Sequence, residues 1–219
     1  MDASAVLAGL AILVIGENQI ANPGYLLNPL HEALQARGAI VHSLGMCGGF
    51  PTRWLDGPPT ACGAAERKGA DPARVNWGET PHWFDLRAIV PSARPAAVVV
   101  VIHETLAAYD RPEMDAEWAR HEVRSLANYL AQERVTCYWV GPGWGDPHKR
   151  YHKTPERVQT VAELIRDASP PCRFIDSLSF AAPGEWKTIN GRDYTVKGYR
   201  AWANAIADAI AQQPPASMR

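Results

Sequence analysis

The sequence predicts an α/β fold in which a five-stranded parallel sheet lies between two layers of helices. Two apolar runs, residues 11–15 and 96–102, are continuous, which is typical of strands buried on both faces. Segments of helical spacing alternate with these and with three further short apolar runs, and that alternation favours parallel strands joined by helices. The 219 residues show neither an internal repeat nor a second apolar core, so we expect one domain over residues 1–219.

The first elements are delimited by turn residues. The first strand runs into Gly16, and Asn22-Pro23-Gly24 signals a turn before a helix over residues 25–37. Gly38 is the expected C-cap of that helix, and residues 39–44 form the second strand.

Residues 49–80 are predicted to leave the sheet as a long loop. This stretch is rich in proline and glycine and has little periodicity. A loop of this length inside a compact domain is usually functional or mobile. A short helix over residues 83–90 follows it.

The second half of the chain continues the alternation. Residues 96–102 form the central strand, and the amphipathic helix that follows is expected to bury its apolar residues, Trp118 included, in the core. Thr154-Pro155-Glu156 reads as an N-cap followed by proline at the first helical position. The remaining predicted elements are helices over residues 114–131, 155–167 and 195–211 and strands over residues 135–140 and 172–175.

Composition and charge exclude several classes of function. A net charge of -1 and a pI near 6.7 give no reason to expect a nucleic-acid partner. The apolar first fifteen residues lack a basic leader and are interrupted by Gly16-Glu17, far short of a membrane span of ~20 residues. We therefore expect neither a signal peptide nor a membrane span in residues 1–219.

The four cysteines show no CxxC spacing, which argues against a zinc site, and no other metal or cofactor is predicted. An even number of cysteines permits two disulfides in an oxidising compartment, and Cys47–Cys62 is the most plausible pair. Four free, partly buried thiols are the alternative, in which case Cys47 with His42 nearby is a candidate thiol nucleophile.

Polar residues follow the predicted strands at one edge of the sheet. Glu17 and Asn18 follow the first strand, and His103 and Glu104 follow the central strand. Ligands of open α/β sheets bind beyond the carboxyl ends of the strands, so we expect the functional site at this edge.

The order of these segments resembles the SGNH (GDSL-type) hydrolases over residues 13–210. Gly16-Glu17-Asn18 matches the Gly-Asp-Ser block, and residues 43–48 match an Asn-x-Gly-x-Ser-Gly block in which Gly45 takes the place of an oxyanion-hole donor. Residues 190–199 match the last block, Asp-x-x-His-x-Thr-x-x-Gly-Tyr. The resemblance implies a flavodoxin-like three-layer α/β/α sandwich and activity on esters of lipids and carbohydrates.

The catalytic positions depart from that pattern. Asn18 stands at the position of the serine nucleophile, Asp193 at that of the histidine and Asn190 at that of the aspartate. The third block falls on residues 103–106 and lacks its asparagine. An amide is not a nucleophile, and a carboxyl with an ordinary pKa of ~3.9 is a poor base for a hydroxyl, so triad chemistry is not expected.

Three functions stay open. In the first, a catalytically inactive cleft binds a carbohydrate or an acylated polysaccharide and serves exopolysaccharide synthesis, together with other proteins of that process; residues 176–202 resemble a bacterial branch found near exopolysaccharide genes. A periplasmic or secreted location is then expected, and a cytoplasmic one otherwise. The predicted ligand-binding residues are Glu17, Trp54, Trp144 and Trp186, and the alternative interpretation of each tryptophan is that it caps the core.

The second function is an esterase, or another hydrolase of ester or glycosidic bonds, with a relocated site built from Asp193, His103, Glu104 and Glu17. A structural, hydrogen-bonded His103 is the alternative interpretation of that cluster. The third function is a protein-interaction module whose cleft is filled by residues 50–80.

Residues 146–153 combine two histidines with three basic residues. Pro147 and the flanking glycines favour a solvated loop, and contact with a phosphate or an acidic sugar is the alternative.

Overall fold

A seven-stranded sheet crosses the protein, which we describe from a computed structural model over residues 6–60, 62–78 and 82–215. The strands are β1 (Ala11–Gly16), β2 (Ile40–Met46), β3 (Ala64–Lys68), β4 (Arg74–Asn76), β5 (Ala97–Val101), β6 (Thr136–Val140) and β7 (Arg173–Ile175). Their order is β4-β3-β2-β1-β5-β6-β7.

The five predicted parallel strands are confirmed, but the sheet is larger than predicted. Strands β2, β1, β5, β6 and β7 are parallel, whereas β3 pairs antiparallel with β2 and β4 pairs antiparallel with β3. The predicted loop over residues 49–80 therefore contains two strands. An unpaired β2 would expose a row of backbone N–H and C=O groups, and β3 satisfies them.

The helices are α1 (Asn28–Ala36), α2 (Arg53–Asp56), α3 (Leu86–Ala93), α4 (Glu104–Ala107), α5 (Ala116–Gln132), α6 (Pro155–Ala168) and α7 (Val196–Gln212). The predicted helix over residues 25–37 is divided into a π-helical turn, Pro23–Leu27, and α1. The third helix begins at Leu86, where the Asp85 side chain accepts the N–H of Arg87. Thr154 caps α6 as predicted, accepting the N–H of Arg157.

Apolar residues of the sheet face two separate layers of helices. Leu13 and Ile15 of β1 pack with the layer formed mainly by α3, α5 and α6. Ile12 and Val14 pack with α1 and α7 on the opposite face. Because successive side chains of a strand point to opposite faces, this division is the physical basis of the three-layer α/β/α sandwich that the resemblance implied.

All four cysteines form disulfides, so the free-thiol alternative is wrong. Cys47 pairs with Cys62, as predicted, and links the end of β2 to the segment just before β3. Cys137 of β6 pairs with Cys172, next to β7. With Cys47 oxidised, no thiol nucleophile exists beside the second block, and His42 instead pairs with Glu66 at 2.7 Å.

Within the three described ranges, no helix has both the length and the apolar character that crossing a membrane requires.

Candidate functional site

A cleft of about 650 Å³ opens at the sheet edge where the parallel strands end. Of the positions that the family resemblance singles out, Asn18 lines the cleft, and Asp193 contacts Arg192 of the lining. Its lining includes polar and aromatic side chains, among them Asn18, Phe50, Glu104, Thr105, Tyr109, Trp118, Arg150, Tyr151 and Arg192.

Glu17 lies beneath the cleft and positions α4. Its carboxylate accepts the backbone N–H groups of His103 at 2.6 Å, of Glu104, and of Thr105 at 2.8 Å. The side chain is buried, and burial together with the neighbouring Glu104 carboxylate raises the pKa of Glu17 to about 7. The structure thus places Glu17 in a supporting position, where it holds the segment that carries Glu104.

Asn18 lines the cleft at the position of the family nucleophile, and both ends of its amide are engaged. Its Oδ1 accepts the backbone N–H of Gly48 at 2.9 Å, and its Nδ2 donates to Glu104 Oε2 at 3.3 Å. The side chain is therefore a bridge between the loop after β2 and the start of α4.

Glu104 is the buried carboxylate that lines the cleft. Besides Asn18, it accepts a hydrogen bond from Gln19 Nε2 at 3.0 Å, and Arg192 Nε lies 3.7 Å from its Oε1. Burial raises the pKa of Glu104, and the Arg192 guanidinium opposes that rise.

Arg192 connects Glu104 to the last block. Its guanidinium donates to the buried Asp193 carboxylate, with Nη2 3.0 Å from Oδ2. Burial disfavours the Arg192 charge, but Glu104 and Asp193 more than offset this and raise its pKa. Asn190 Nδ2 donates to Asp193 Oδ2 at 2.7 Å, so Asn190, Asp193, Arg192, Glu104 and Asn18 form one continuous chain of polar contacts.

The side chain of His103 is buried near this cluster. Both of its ring nitrogens lack a hydrogen-bond partner among the described residues, and the ring centroid lies 5.9 Å from that of Trp202. Burial, and to a smaller extent the Lys153 charge, holds the pKa of His103 well below its ordinary value. The proposed relocated site is thus divided: Glu104 faces the cleft, whereas His103, Glu17 and Asp193 are buried around it.

Gly45 lies within β2, opposite Gly16 and Ala65, and not in the cleft. Backbone atoms of Ile20 and Ala21 would come within 2.3 Å of a Cβ at this position, so the close approach of the chain there requires glycine. The glycine of this block whose N–H contacts residue 18 is Gly48.

The three tryptophans predicted to bind ligand lie outside the cleft lining. Trp54 is fully buried and donates to the carbonyl of Gly49. Trp144 donates to the carbonyls of Leu178 and Ala181, and Trp186 packs edge-on against the Tyr194 ring. Their indoles therefore serve the packing of loops and core.

Other aromatic residues line the cleft in their place. Phe50 and Trp118 pack edge to face at 5.8 Å, and the Arg192 guanidinium lies 4.4 Å from the centre of the Tyr151 ring. The prediction that Trp118 belongs only to the core is corrected, since its ring is partly buried and contributes to the cleft. The sequence signal for Trp118 was its place in the first turn of α5, beside the cap Asp115.

The prediction that residues 50–80 fill the cleft is wrong. Within this segment, β3 and β4 extend the sheet beyond β2, and α2 contributes the buried Trp54 to the core. Of the segment, only Phe50 lines the cleft among the described residues. Residues 146–153 form a loop, as predicted, and bring Arg150 and Tyr151 to the cleft.

The charges of the cluster nearly balance. Glu17, Glu104 and Asp193 supply carboxylates, and Arg192 and the buried Lys153 supply cations. Burial lowers the pKa of Lys153 to about 8. In the ranges that the structure covers, no group of histidine, cysteine, aspartate and glutamate side chains is arranged to hold a metal ion.

Comparison with known proteins places the chain in a family. It is 30% identical over 209 residues to protein BcsX of Komagataeibacter xylinus. The aligned region covers 95% of this chain and 79% of that protein. The chain belongs to the BcsX family. No family model matches this BcsX-family chain.

Solved structures with the same fold as this BcsX-family chain include lipases and acylhydrolases. A lipase/acylhydrolase from Enterococcus faecalis has a TM-score of 0.63 and 14% sequence identity, and the match covers 94% of this chain and 98% of the lipase/acylhydrolase chain. A GDSL-like lipase from Bacteroides thetaiotaomicron has a TM-score of 0.58 and 15% identity, with coverage of 93% and 88%. A DUF4886 family protein from Bacteroides uniformis has a TM-score of 0.65 and 12% identity, with coverage of 93% and 83%. These similarities confirm the SGNH-hydrolase fold.

Proposed function

We propose that this BcsX-family protein binds a carbohydrate in its cleft, without hydrolysing esters, as an accessory of exopolysaccharide synthesis. The observation that carries the proposal is Asn18, which occupies the nucleophile position with both ends of its amide hydrogen-bonded. The relationship to protein BcsX fits a divergent SGNH-fold protein associated with exopolysaccharide.

Acyl transfer requires a nucleophile and a base within hydrogen-bond reach. Position 18 offers an amide, and position 193 offers a carboxylate that Asn190 and Arg192 already occupy. His103 is buried, and its Nδ1 and Nε2 make no hydrogen bond within the described residues. Neither requirement for serine-esterase chemistry is met at the family positions.

The cleft lining suits a neutral glycan. Three aromatic rings, those of Phe50, Trp118 and Tyr151, offer apolar surface for the faces of sugar rings. The charged residues of the lining are mixed in sign: Glu104, Asp110, Glu113 and Asp115 against Arg111, Arg150 and Arg192. A polyanion would meet these carboxylates, so an acidic sugar or a phosphate is disfavoured.

We further propose a periplasmic or secreted location and association there with other proteins of exopolysaccharide synthesis. Two disulfides support this location, because disulfides persist in oxidising compartments.

Calorimetric titration of the purified protein with cellohexaose, a neutral glycan, tests the binding. We expect saturable binding that weakens at least tenfold in Trp118→Ala and is unchanged in Trp77→Ala, an exposed tryptophan outside the cleft. The wild type should not hydrolyse p-nitrophenyl acetate or an acetylated glycan above the uncatalysed rate. Absence of binding to cellohexaose, or equal effects of the two variants, would contradict the proposal.

One observation favours an enzyme as the second candidate. Glu104 lines the cleft with a raised pKa, which is a property of general acids. Turnover of an acetylated or unmodified glycan by the wild type, abolished in Glu104→Gln while the variant stays folded, would favour this candidate over a binding protein.

A further inference from the structure

In a hydrolase, a nucleophile at residue 18 would need N–H donors beside it for the oxygen of the acyl group. Donors that stabilise an oxyanion lie 2.7–3.1 Å from it. A nucleophile on residue 18 would place that oxygen beside the N–H group that faces the residue 18 side chain, which is the N–H of Gly48. In this chain the Gly48 N–H instead donates to Asn18 Oδ1 at 2.9 Å.

The loop offers no other donor for an acyl oxygen. Cys47 N donates to the carbonyl of Gly63 at 2.9 Å, Gly49 N to that of Met46 at 3.0 Å, and Phe50 N to that of Gly48 at 3.1 Å. The Cys47–Cys62 disulfide fixes the start of the loop. With Asn18 in place, each backbone N–H from residue 47 to residue 50 has an acceptor within the protein.

The other groups at the cleft favour hydroxyl ligands over carbonyl ligands. Glu104 presents a carboxylate, which accepts hydrogen bonds and repels the oxygen of an acyl carbonyl. Arg150 and Arg192 also line the cleft, and their guanidinium groups offer N–H donors to a ligand oxygen. A sugar hydroxyl can donate to Glu104 and accept from one of these guanidinium groups, whereas an ester carbonyl can only accept.

We propose that the cleft selects glycans with free hydroxyl groups and discriminates against their O-acylated forms, with Asn18 as the residue that determines this specificity. The proposal rests on the carbohydrate binding proposed above and narrows its ligand from a carbohydrate or acylated polysaccharide to an unacylated one. An acyl carbonyl would have to displace Asn18 Oδ1, which is held on the same chain and so competes at high effective concentration.

Calorimetric titrations with cellohexaose and with a partially O-acetylated cello-oligosaccharide of the same length test the specificity. The wild type should bind the acetylated form at least tenfold more weakly. Asn18→Gly leaves the Gly48 N–H without its side-chain acceptor and should reduce that ratio to threefold or less. Trp77→Ala, at an exposed residue outside the cleft lining, should keep the wild-type ratio.

Equal affinity of the wild type for both glycans would overturn the specificity and leave carbohydrate binding intact. Failure of the wild type to bind either glycan would overturn both proposals. If the ratio of the two affinities is unchanged in Asn18→Gly, Asn18 does not determine the specificity.

Discussion

The polar side chains at the edge of the sheet compensate one another's charges. They include Asn18, Glu104 and Arg192. The guanidinium of Arg192 lies between two buried carboxylates, Glu104 and Asp193. Removing one member of a buried ion pair leaves an uncompensated charge, which is strongly unfavourable. The contacts among these side chains therefore preserve the cleft without requiring a catalytic role.

The pair of buried carboxylates Glu17 and Glu104 should make stability depend on pH. The pKa of Glu17 is raised from 4.5 to about 7, so the folded protein binds more protons than the unfolded chain within that window. The free energy of unfolding should then fall as the pH rises from about 4.5 to 7, by roughly 1–3 kcal/mol. In Glu104→Gln the fall should be smaller, because one cause of the raised Glu17 pKa is removed.

Chemical denaturation at several pH values between 4.5 and 7.5 measures this difference. Glu163→Gln, at an exposed position of α6, is the matched control and should keep the wild-type profile. A profile in Glu104→Gln as steep as that of the wild type would show that the two carboxylates do not interact.

At the scale of single elements, short polar contacts determine where helices begin. Glu17 accepts three backbone N–H groups at the start of α4, and Thr154 accepts the N–H of Arg157 at the start of α6. Four N–H groups at the start of any helix lack partners within the helix, so each cap contributes to stability.

Thr154→Ala should lower the free energy of unfolding by ~1 kcal/mol, since it removes the cap of α6. Thr160→Ala, at an exposed position in the middle of the same helix, should be neutral or slightly stabilising, because alanine has the higher helix propensity. Thermal and chemical denaturation of both variants compare the positions. If the two variants lower the free energy of unfolding equally, the effect comes from loss of the threonine side chain and not from loss of the cap.

Elements with strong local signals could be predicted, and those that depend on distant partners could not. The run Ala11–Gly16 and the cap at Thr154 carry their structure in their own residues. Residues 64–68, Ala-Ala-Glu-Arg-Lys, lack the apolar alternation of a strand, and they become one by pairing with β2. The site was predictable at Asn18 and Glu104, which follow strands, but not at Arg192, whose role depends on a contact across 88 residues of sequence (104 to 192).

Across the whole molecule, the two disulfides differ in exposure. Cys62 is exposed, whereas Cys137 and Cys172 are 4% and 6% exposed. A thiol reductant must reach the sulfur that it attacks. The same reductant should therefore reduce Cys47–Cys62 faster than Cys137–Cys172.

In native protein treated with dithiothreitol, Cys47–Cys62 should be reduced well before Cys137–Cys172. Mass spectrometry after alkylation of the released thiols distinguishes the two pairs. The variant Cys137→Ala/Cys172→Ala should lower the free energy of unfolding by roughly 2–4 kcal/mol, as loss of a native disulfide commonly does. Reduction of both pairs at the same rate in the folded protein would contradict the difference in access.

The antiparallel pair β3–β4 also determines how the molecule meets its neighbours. At this side of the sheet the outermost strand is Arg74–Asn76, a segment of three residues that begins with a charged side chain. Short, charged outer strands are poor templates for strand addition from another chain. The long, apolar strands at the centre of the sheet are thereby shielded on this side, which should disfavour self-association into fibres at high local protein concentration.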